Sequence, residues 1–423
     1  MSAALVLVVL RPARAQDTQA QRPGLGIDYT TARYEPTGLP TFGGDTDTGV
    51  ALGFAGSLAR FAGGEQPYVW SLNVVASASL KNDPVFRLVQ QTYFVALDVP
   101  RGDNGRVRWM PAIGYIRAID APYFGLGNAT NPTVPAGAAN AAQYNQYLAQ
   151  TLVVRELTRI LLRWPYEVVL MPFVRYLLPR EYAGTRLAAD AAAQGAAGAP
   201  PVRGLRDEVL ATLAAGIVVD TRDSELFPRS GTYDQIGLRY VQGFPFDGRV
   251  MYGGAGGVAA KYFPLGNTSS LAIRGVVDLE AGNVPFFDLY YGGPFRPLQL
   301  PGGSTGIRGV PLGLFSGLVK VVANVELRTM PLHFSLLEQR FRLGGDAFGD
   351  AGRAFSDYTF HSPRDGSGIG IHWGMGAGVY VAWGDAALFR LEAAYSPDAF
   401  PLHPFDLATS LPLGLYVEDG VMF

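Results

Sequence analysis

Apolar and polar residues alternate with a period of two along almost the whole chain, and no apolar run approaches the ~20 residues of a membrane-spanning helix. Leu318 to Arg328 shows the pattern. Val319, Val321, Ala323, Val325 and Leu327 fall on one face, with Lys320, Asn324, Glu326 and Arg328 on the other. Ala386 to Tyr395 repeats it, setting Ala387, Phe389, Leu391, Ala393 and Tyr395 against Arg390 and Glu392. In water such an apolar face needs a core. In a bilayer it meets lipid while the polar face lines a lumen, and closing the sheet leaves no backbone group unsatisfied.

Composition narrows the choice. Charged residues are 17% of the chain, below the ~25% of ordinary soluble domains, and hydrophobic residues are 48%. That apolar content, with a net charge of -2, excludes intrinsic disorder. The lack of a basic excess argues against a nucleic-acid partner. The absence of cysteine removes disulfide scaffolds and any Cys-ligated metal or cluster. What remains is an all-β transmembrane β-barrel, and the strands counted below make it a 16-stranded antiparallel one, expected in the bacterial outer membrane.

Residues 3–10 are an apolar run, and Ala13-Arg14-Ala15 follows as a small-x-small cleavage site. The expected division is a signal peptide over 1–15, cut before Gln16, and a barrel over 16–423. Strands are expected at 24–32, 48–62, 67–80, 85–99, 104–118, 143–160, 162–178, 206–221, 231–243, 247–263, 268–282, 318–329, 341–355, 371–383, 386–396 and 411–423. Connections after odd strands are mostly long and rich in Gly, Pro and Ala: 33–47, 119–142, 179–205, 283–317, 356–370 and 397–410. Those after even strands are mostly short, as at Gly63-Gly64-Glu65-Gln66 and Leu265-Gly266-Asn267. Sorting by parity is what long outer loops and short periplasmic turns produce, and it puts both ends of the barrel on the periplasmic side. Ala188 to Pro201, nearly all Ala, Gly and Pro, reads as a low-complexity loop.

Enzyme signals are weak. Gly302-Gly303-Ser304-Thr305-Gly306 fits the G-x-S-x-G nucleophile pattern, but no helix follows, and His333, His361, His372 and His403 stand in no recognisable context. No His-x-x-x-His or Glu-x-x-His pair supplies a metal site. Asp346 and Asp350 share a strand face, as a lumen-lining polar row. Gly253-Gly254 and Gly256-Gly257 read as relief of crowding where a strand bends. The expectation is a non-enzyme with no cofactor.

Four motifs occur in order: Tyr123-Phe124-Gly125-Leu126-Gly127-Asn128; Asp220-Thr221-Arg222-Asp223 with Pro228 and Gly231; Gly302 to Val310, containing Ile307-Arg308-Gly309; and Phe348-Gly349-Asp350-Ala351-Gly352. Together they resemble the BamA/TamA surface-antigen family of outer-membrane assembly and translocation barrels. The resemblance implies that the outer loop bearing Arg308 folds back into the lumen. There Arg308 would bond Asp350 and lie on Phe348, with Gly309 and Gly352 permitting close approach. Where the family usually has an aromatic after Arg-Gly, this chain has Val310. Phe423, with Val421 and Val417 on one face, resembles the C-terminal signal read by barrel assembly machinery, although Glu418 and Asp419 depart from it. The length implies a short member without the periplasmic POTRA repeats. The expected role is insertion or passage of protein or lipid at the seam between first and last strands, with outer-membrane lipid and a periplasmic or secreted client as partners. The alternative is a passive pore or structural barrel that handles no client.

Overall fold

The computed structural model describes residues 30–423 apart from 46–47, 66–67, 83–85, 103–104, 197–199, 225–226, 337–338, 384–386, 400, 403–410 and 420–421. Sixteen antiparallel strands close into one barrel. They are β1 (Arg33–Asp45), β2 (Gly49–Phe61), β3 (Trp70–Asn82), β4 (Phe86–Gly102) and β5, broken into Val107–Trp109 and Ala112–Pro122. Next come β6, broken into Gln146–Arg155 and Thr158–Arg163, then β7 (Tyr166–Leu177), β8 (Glu208–Asp220), β9 (Gly231–Phe244) and β10 (Met251–Pro264). The last are β11 (Ser269–Asn283), β12 (Val319–Leu336), β13 (Gln339–Phe355), β14 (His372–Trp383), β15 (Ala387–Tyr395) and β16 (Leu411–Asp419). Each strand pairs with its chain neighbours, and β1 meets β16 at the seam. Among the described residues no helix is long and apolar enough to cross a membrane.

The alternation read from the sequence sorts residues as a barrel requires. On β12, Val321, Val325 and Leu327 are 40%, 43% and 49% exposed, while Lys320, Asn324, Glu326 and Arg328 are fully buried inside. The outward face is thus the apolar one, and in a bilayer it is solvated by lipid. Exposed aromatics mark both ends of the wall. Trp109, Trp164 and Tyr166 lie at the short-turn end, and Phe246, Tyr358 and Phe360 beyond the other.

Long connections follow odd strands at 123–145, 178–207, 284–318, 356–371 and 396–410, and short ones follow even strands at 164–165, 265–268 and 337–338. The start of the barrel differs from expectation. Residues 33–47 were expected as a long outer loop, yet Arg33–Asp45 is the first strand, and β2 begins at Gly49. Of the expected first strand, 24–32, residues up to 29 lie outside the described residues and 30–32 precede β1. Proline is tolerated on a strand edge that needs no donor, and β1, which carries Pro36 and Pro40, is the seam strand. Part of the low-complexity stretch is also ordered. A short helix, α1 (Arg186–Ala192), starts at Thr185, whose hydroxyl accepts from the Ala188 amide.

The long outer loops fold inward over the mouth. Tyr123, Leu187 of α1, Val202, Phe286 and Phe287 pack against inward residues of the wall such as Tyr147 and Leu210. This plug buries its own apolar surface and directs the longest loop, 284–318, down into the lumen.

Candidate functional site

Three residues at period two on β13, Asp346, Phe348 and Asp350, point into the lumen. Opposite them in register on β14 stand Gly378, Gly376 and Gly374. Glycine at alternate positions leaves a groove one side chain deep, and the tip of the 284–318 loop fills it. A Cβ at Gly374 would lie 1.9 Å from the Arg308 carbonyl oxygen, and one at Gly376 would lie 2.5 Å from the Phe348 ring.

Arg308 is fully buried at the tip. Its backbone amide and Nε donate to Asp350 Oδ2 at 3.0 and 2.8 Å, and Nη2 donates to Oδ1 at 3.0 Å. Its Cζ lies 3.4 Å from the centroid of the Phe348 ring. Nη1 lies 2.8 Å from Glu326 of β12, 3.1 Å from Glu392 of β15 and 3.9 Å from Asp346. Those three carboxylates have oxygens within 4.8 Å of one another, a spacing suited to a metal ion. Here the guanidinium is the cation among them. A planar, permanently charged fork suits this crowd better than an ammonium would.

A second layer holds the acids. Asn324 donates to Asp350 Oδ1 and to the Gly306 carbonyl, both at 2.8 Å. Arg274 donates to Asn324 Oδ1 and, at 2.6 Å, to the Thr305 carbonyl. Arg328 bonds Glu326 at 2.6 Å, and Arg390 bonds Glu392 at 3.0 Å and also pairs with Glu418. Charges buried this deeply are tolerated when each finds partners.

Gly309 takes φ +91°, and a Cβ there would lie 3.0 Å from Ser396 Cβ. Its amide donates to Tyr416 Oη of β16 at 2.8 Å, so the loop tip touches the seam strand. A Cβ at Gly352 would lie 2.5 Å from the Val321 carbonyl oxygen and 3.1 Å from Ile307 Cδ1. Val310 is buried with Ile307, Leu314, Phe315 and Val322, filling an apolar pocket beside the charges.

One other motif braces the same loop. Asn128 accepts from the Ala354 amide at 3.0 Å and donates to the Gly370 carbonyl at 2.8 Å, while Gly127 and Ser316 form a bridge. The Tyr123–Asn128 segment thus ties the inserted loop to the one after β13. In the turn after β8, Arg222 folds back on Asp220 and lies 3.9 Å over the Tyr233 ring. Gly256 has a different use from the expected strand bend. Gly216, Gly237 and Gly256 are register neighbours on β8, β9 and β10. A Cβ at Gly237 or Gly256 would lie 2.9 Å from Pro294 of the loop, and one at Gly216 would lie 2.8 Å from Phe295.

Other expected positions fall elsewhere. Phe423 does not continue an outward apolar face. β16 ends at Asp419, and the Phe423 ring is buried in the lumen, 4.7 Å from Arg328 Cζ and 4.8 Å from Arg274 Cζ. Val417 stays on β16, paired with Gly44 and Leu391, and Val421 lies outside the described residues, as do His403 and the signal segment 1–15. Ser304 is buried, and its hydroxyl lies 3.2 Å from Gln299 Oε1. His372 bonds Asp398 at 2.9 Å and stacks on Phe315.

Glu326, Asn324 and Glu392 were read from the sequence as lumen-facing and not as parts of one site. Tyr416 and the β14 glycines were missed, although Gly374-x-Gly376-x-Gly378 is a legible period-two signal.

Residues 179–403 match the Omp85 superfamily domain. The fold is similar to that of BamA from Haemophilus ducreyi lacking POTRA domains 1–3, with TM-score 0.56 and 14% identity over 92% of this chain and 70% of that one. It is likewise similar to CdiB from Escherichia coli, with TM-score 0.56 and 14% identity over 91% of this chain and 62% of that one. A search of curated protein sequences found no match.

Proposed function

The chain belongs to the Omp85 superfamily and is a bacterial outer-membrane barrel, and from that premise we propose that it inserts or passes a client, polypeptide or lipid, at the seam between β1 and β16. Omp85 barrels work in assembly and transport, and among the described residues the seam here has the shortest ladder between neighbouring strands. β1 pairs with β2 from Arg33↔Phe61 to Asp45↔Gly49. With β16 it pairs, among the described residues, at Gly44↔Val417 and Asp45↔Tyr416 alone. That contrast carries the reading, because unpaired strand edges are templates for another chain. In this reading Arg308 with Asp350, Phe348, Gly309 and Gly352 is a lumen lock. It fixes β13 through β16 while β1 is free to part from them. The barrel's own insertion would use the assembly machinery, with its last strand as the signal.

Asp45 and Tyr416 are directly opposed and both buried, so cysteines at the two positions are placed to form a disulfide. The chain has no other cysteine to compete. The double variant Asp45→Cys/Tyr416→Cys, in liposomes, is assayed for acceleration of folding of an unfolded outer-membrane barrel. Acceleration lost on oxidation and regained on reduction supports the seam. Equal rates in both states, or none in the unmodified protein with a steady conductance in planar bilayers, would favour the passive pore.

A further inference from the structure

The lumen has two characters. β11 to β16 line it with ion pairs, whereas β4 to β8 present Phe94, Ile116, Val153, Met171 and Phe173 inward, although lipid-facing neighbours such as Tyr93 and Val154 already supply the outer apolar face. A lumen wall apolar on both sides is unexpected where strands should alternate apolar-out and polar-in. Over this wall lies a cavity of about 200 Å³, roofed by Phe287 and Phe295 of the inserted loop. It is smaller than the roughly 300–1,000 Å³ of sites for drug-sized molecules, so a slender guest fits better than a ring system.

Polar groups at this cavity lack a hydrogen-bond partner among the described residues. The Arg155 guanidinium makes no hydrogen bond or ion pair among the described residues, and its Nε is buried. Its chain neighbour Glu156 lends it an opposite charge but makes its hydrogen bonds elsewhere, accepting from the Met110 amide at 3.3 Å and the Thr158 hydroxyl at 3.1 Å. The buried Thr212 hydroxyl is also without a hydrogen-bond partner among the described residues. Both residues are register neighbours of Phe173, so they stand on the same level of the wall, about 10 Å apart across it. The remaining charges are matched: Arg175 is bonded to Asp288, and Arg239 to Glu280. Arg155 therefore leaves the cavity with a cationic excess. An orphaned guanidinium over an apolar trough calls for an anionic acceptor carried on an apolar tail.

We propose that this cavity binds an anionic amphiphile, a single acyl chain lying on the Phe94–Met171 wall with its acidic head on Arg155. The cavity lies on the half of the barrel away from the β16–β1 seam, so it stands whether or not that seam opens.

The test uses the full protein in nanodiscs of zwitterionic phosphatidylcholine, with cis-parinaric acid, a fluorescent straight-chain polyene fatty acid, as the probe. The probe is expected to bind saturably, and dodecanoate to displace it about tenfold better than dodecyltrimethylammonium of the same chain length. Arg155→Met is expected to weaken binding about tenfold, the size of one charge-assisted hydrogen bond. Ala214→Trp, which fills the cavity, is expected to abolish it. Heat-shifted gel mobility identifies which variants fold. If Ala214→Trp does not, Arg155→Met and the head-group comparison still decide. Adding phosphatidylglycerol to the nanodiscs separates the sources: displacement marks a membrane lipid as the guest, and its absence marks a free fatty acid. Non-saturable signal, equal competition by the cationic amphiphile, or unchanged binding in both variants would overturn the proposal.

Discussion

Asp350 grips Arg308 through the backbone as well as the side chain, its Oδ2 accepting from both the amide at 3.0 Å and Nε at 2.8 Å. The carboxylate therefore fixes the path of the loop along with the charge at its tip. Arg308→Ala leaves Asp350, Glu326 and Glu392 buried without their shared cation. Breaking a buried pair this way costs about 3–5 kcal/mol. Asp350→Asn leaves Glu326 and Glu392 to hold Nη1 and is expected to cost less. On gels, the temperature of the folded-to-unfolded mobility shift should fall for both variants and further for Arg308→Ala. Unchanged temperatures would remove the loop from any part in holding the barrel.

Backbone clearance makes a separate prediction, since Gly374 touches the loop tip without carrying charge. Gly374→Ala would place a Cβ 1.9 Å from the Arg308 carbonyl oxygen, and backbone cannot yield as a side chain tip can. The tip should leave the groove and expose Arg308 to trypsin within a folded barrel. Gly349→Ala is the control. Gly349 stands between Phe348 and Asp350, yet its Cβ would meet nothing within 4 Å. A new cut after Arg308 in Gly374→Ala alone would show that the glycine stripe seats the loop. Resistance in both would show that the tip tolerates displacement.

The lumen-facing rows of β12 and β15 were legible because a barrel wall forces period two, and burial follows from it. The Arg308–Asp350 pair was legible only through the resemblance to the surface-antigen family, because a loop arginine and a lumen-facing aspartate do not by themselves imply contact. The company they keep was not. Glu326, Asp346 and Glu392 come from three strands, and alternation assigns a face without assigning a register. It is register that sets Glu326 beside Phe348 and Glu392 beside Gly378. β1 was misread for a different reason. Pro36, Pro40, Gly43 and Gly44 are loop composition almost everywhere, but a strand paired along one edge can carry them. Phe423 was assigned by extrapolating the face of β16 past the point where the strand ends.

Asn128 caps the mouth with two side-chain bonds, to the Ala354 amide and the Gly370 carbonyl. Each is worth about 0.5–1.5 kcal/mol, too little to govern folding and enough to hold two loops together. Asn128→Ala should therefore leave the gel transition nearly in place while raising the frequency of channel openings in planar bilayers. Openings as rare as in the unmodified protein would mean that the plug is held by its apolar packing alone.

At the base of the inserted loop, Asp288 accepts from Arg175 twice and from the Tyr252 hydroxyl, each at 2.7 Å. Burial alone would raise the pKa of this carboxyl, but the Arg175 charge and these donors outweigh it and hold it below the ordinary value. A depressed folded pKa stabilises fully above the unfolded value of about 3.9 and loses that contribution as pH falls toward the lower, folded value. The loop base should accordingly loosen in acid below roughly pH 4, ahead of the strand ladder, whose backbone hydrogen bonds do not titrate. Amide exchange across 284–300, corrected for intrinsic rates, should show protection at neutral pH that fades in acid. Asp288→Asn should show the weaker protection already at neutral pH and little further change on acidification. Equal protection of the unmodified protein across this range would mean that Gly216, Gly237 and Gly256 seat the loop without help from the ion pair.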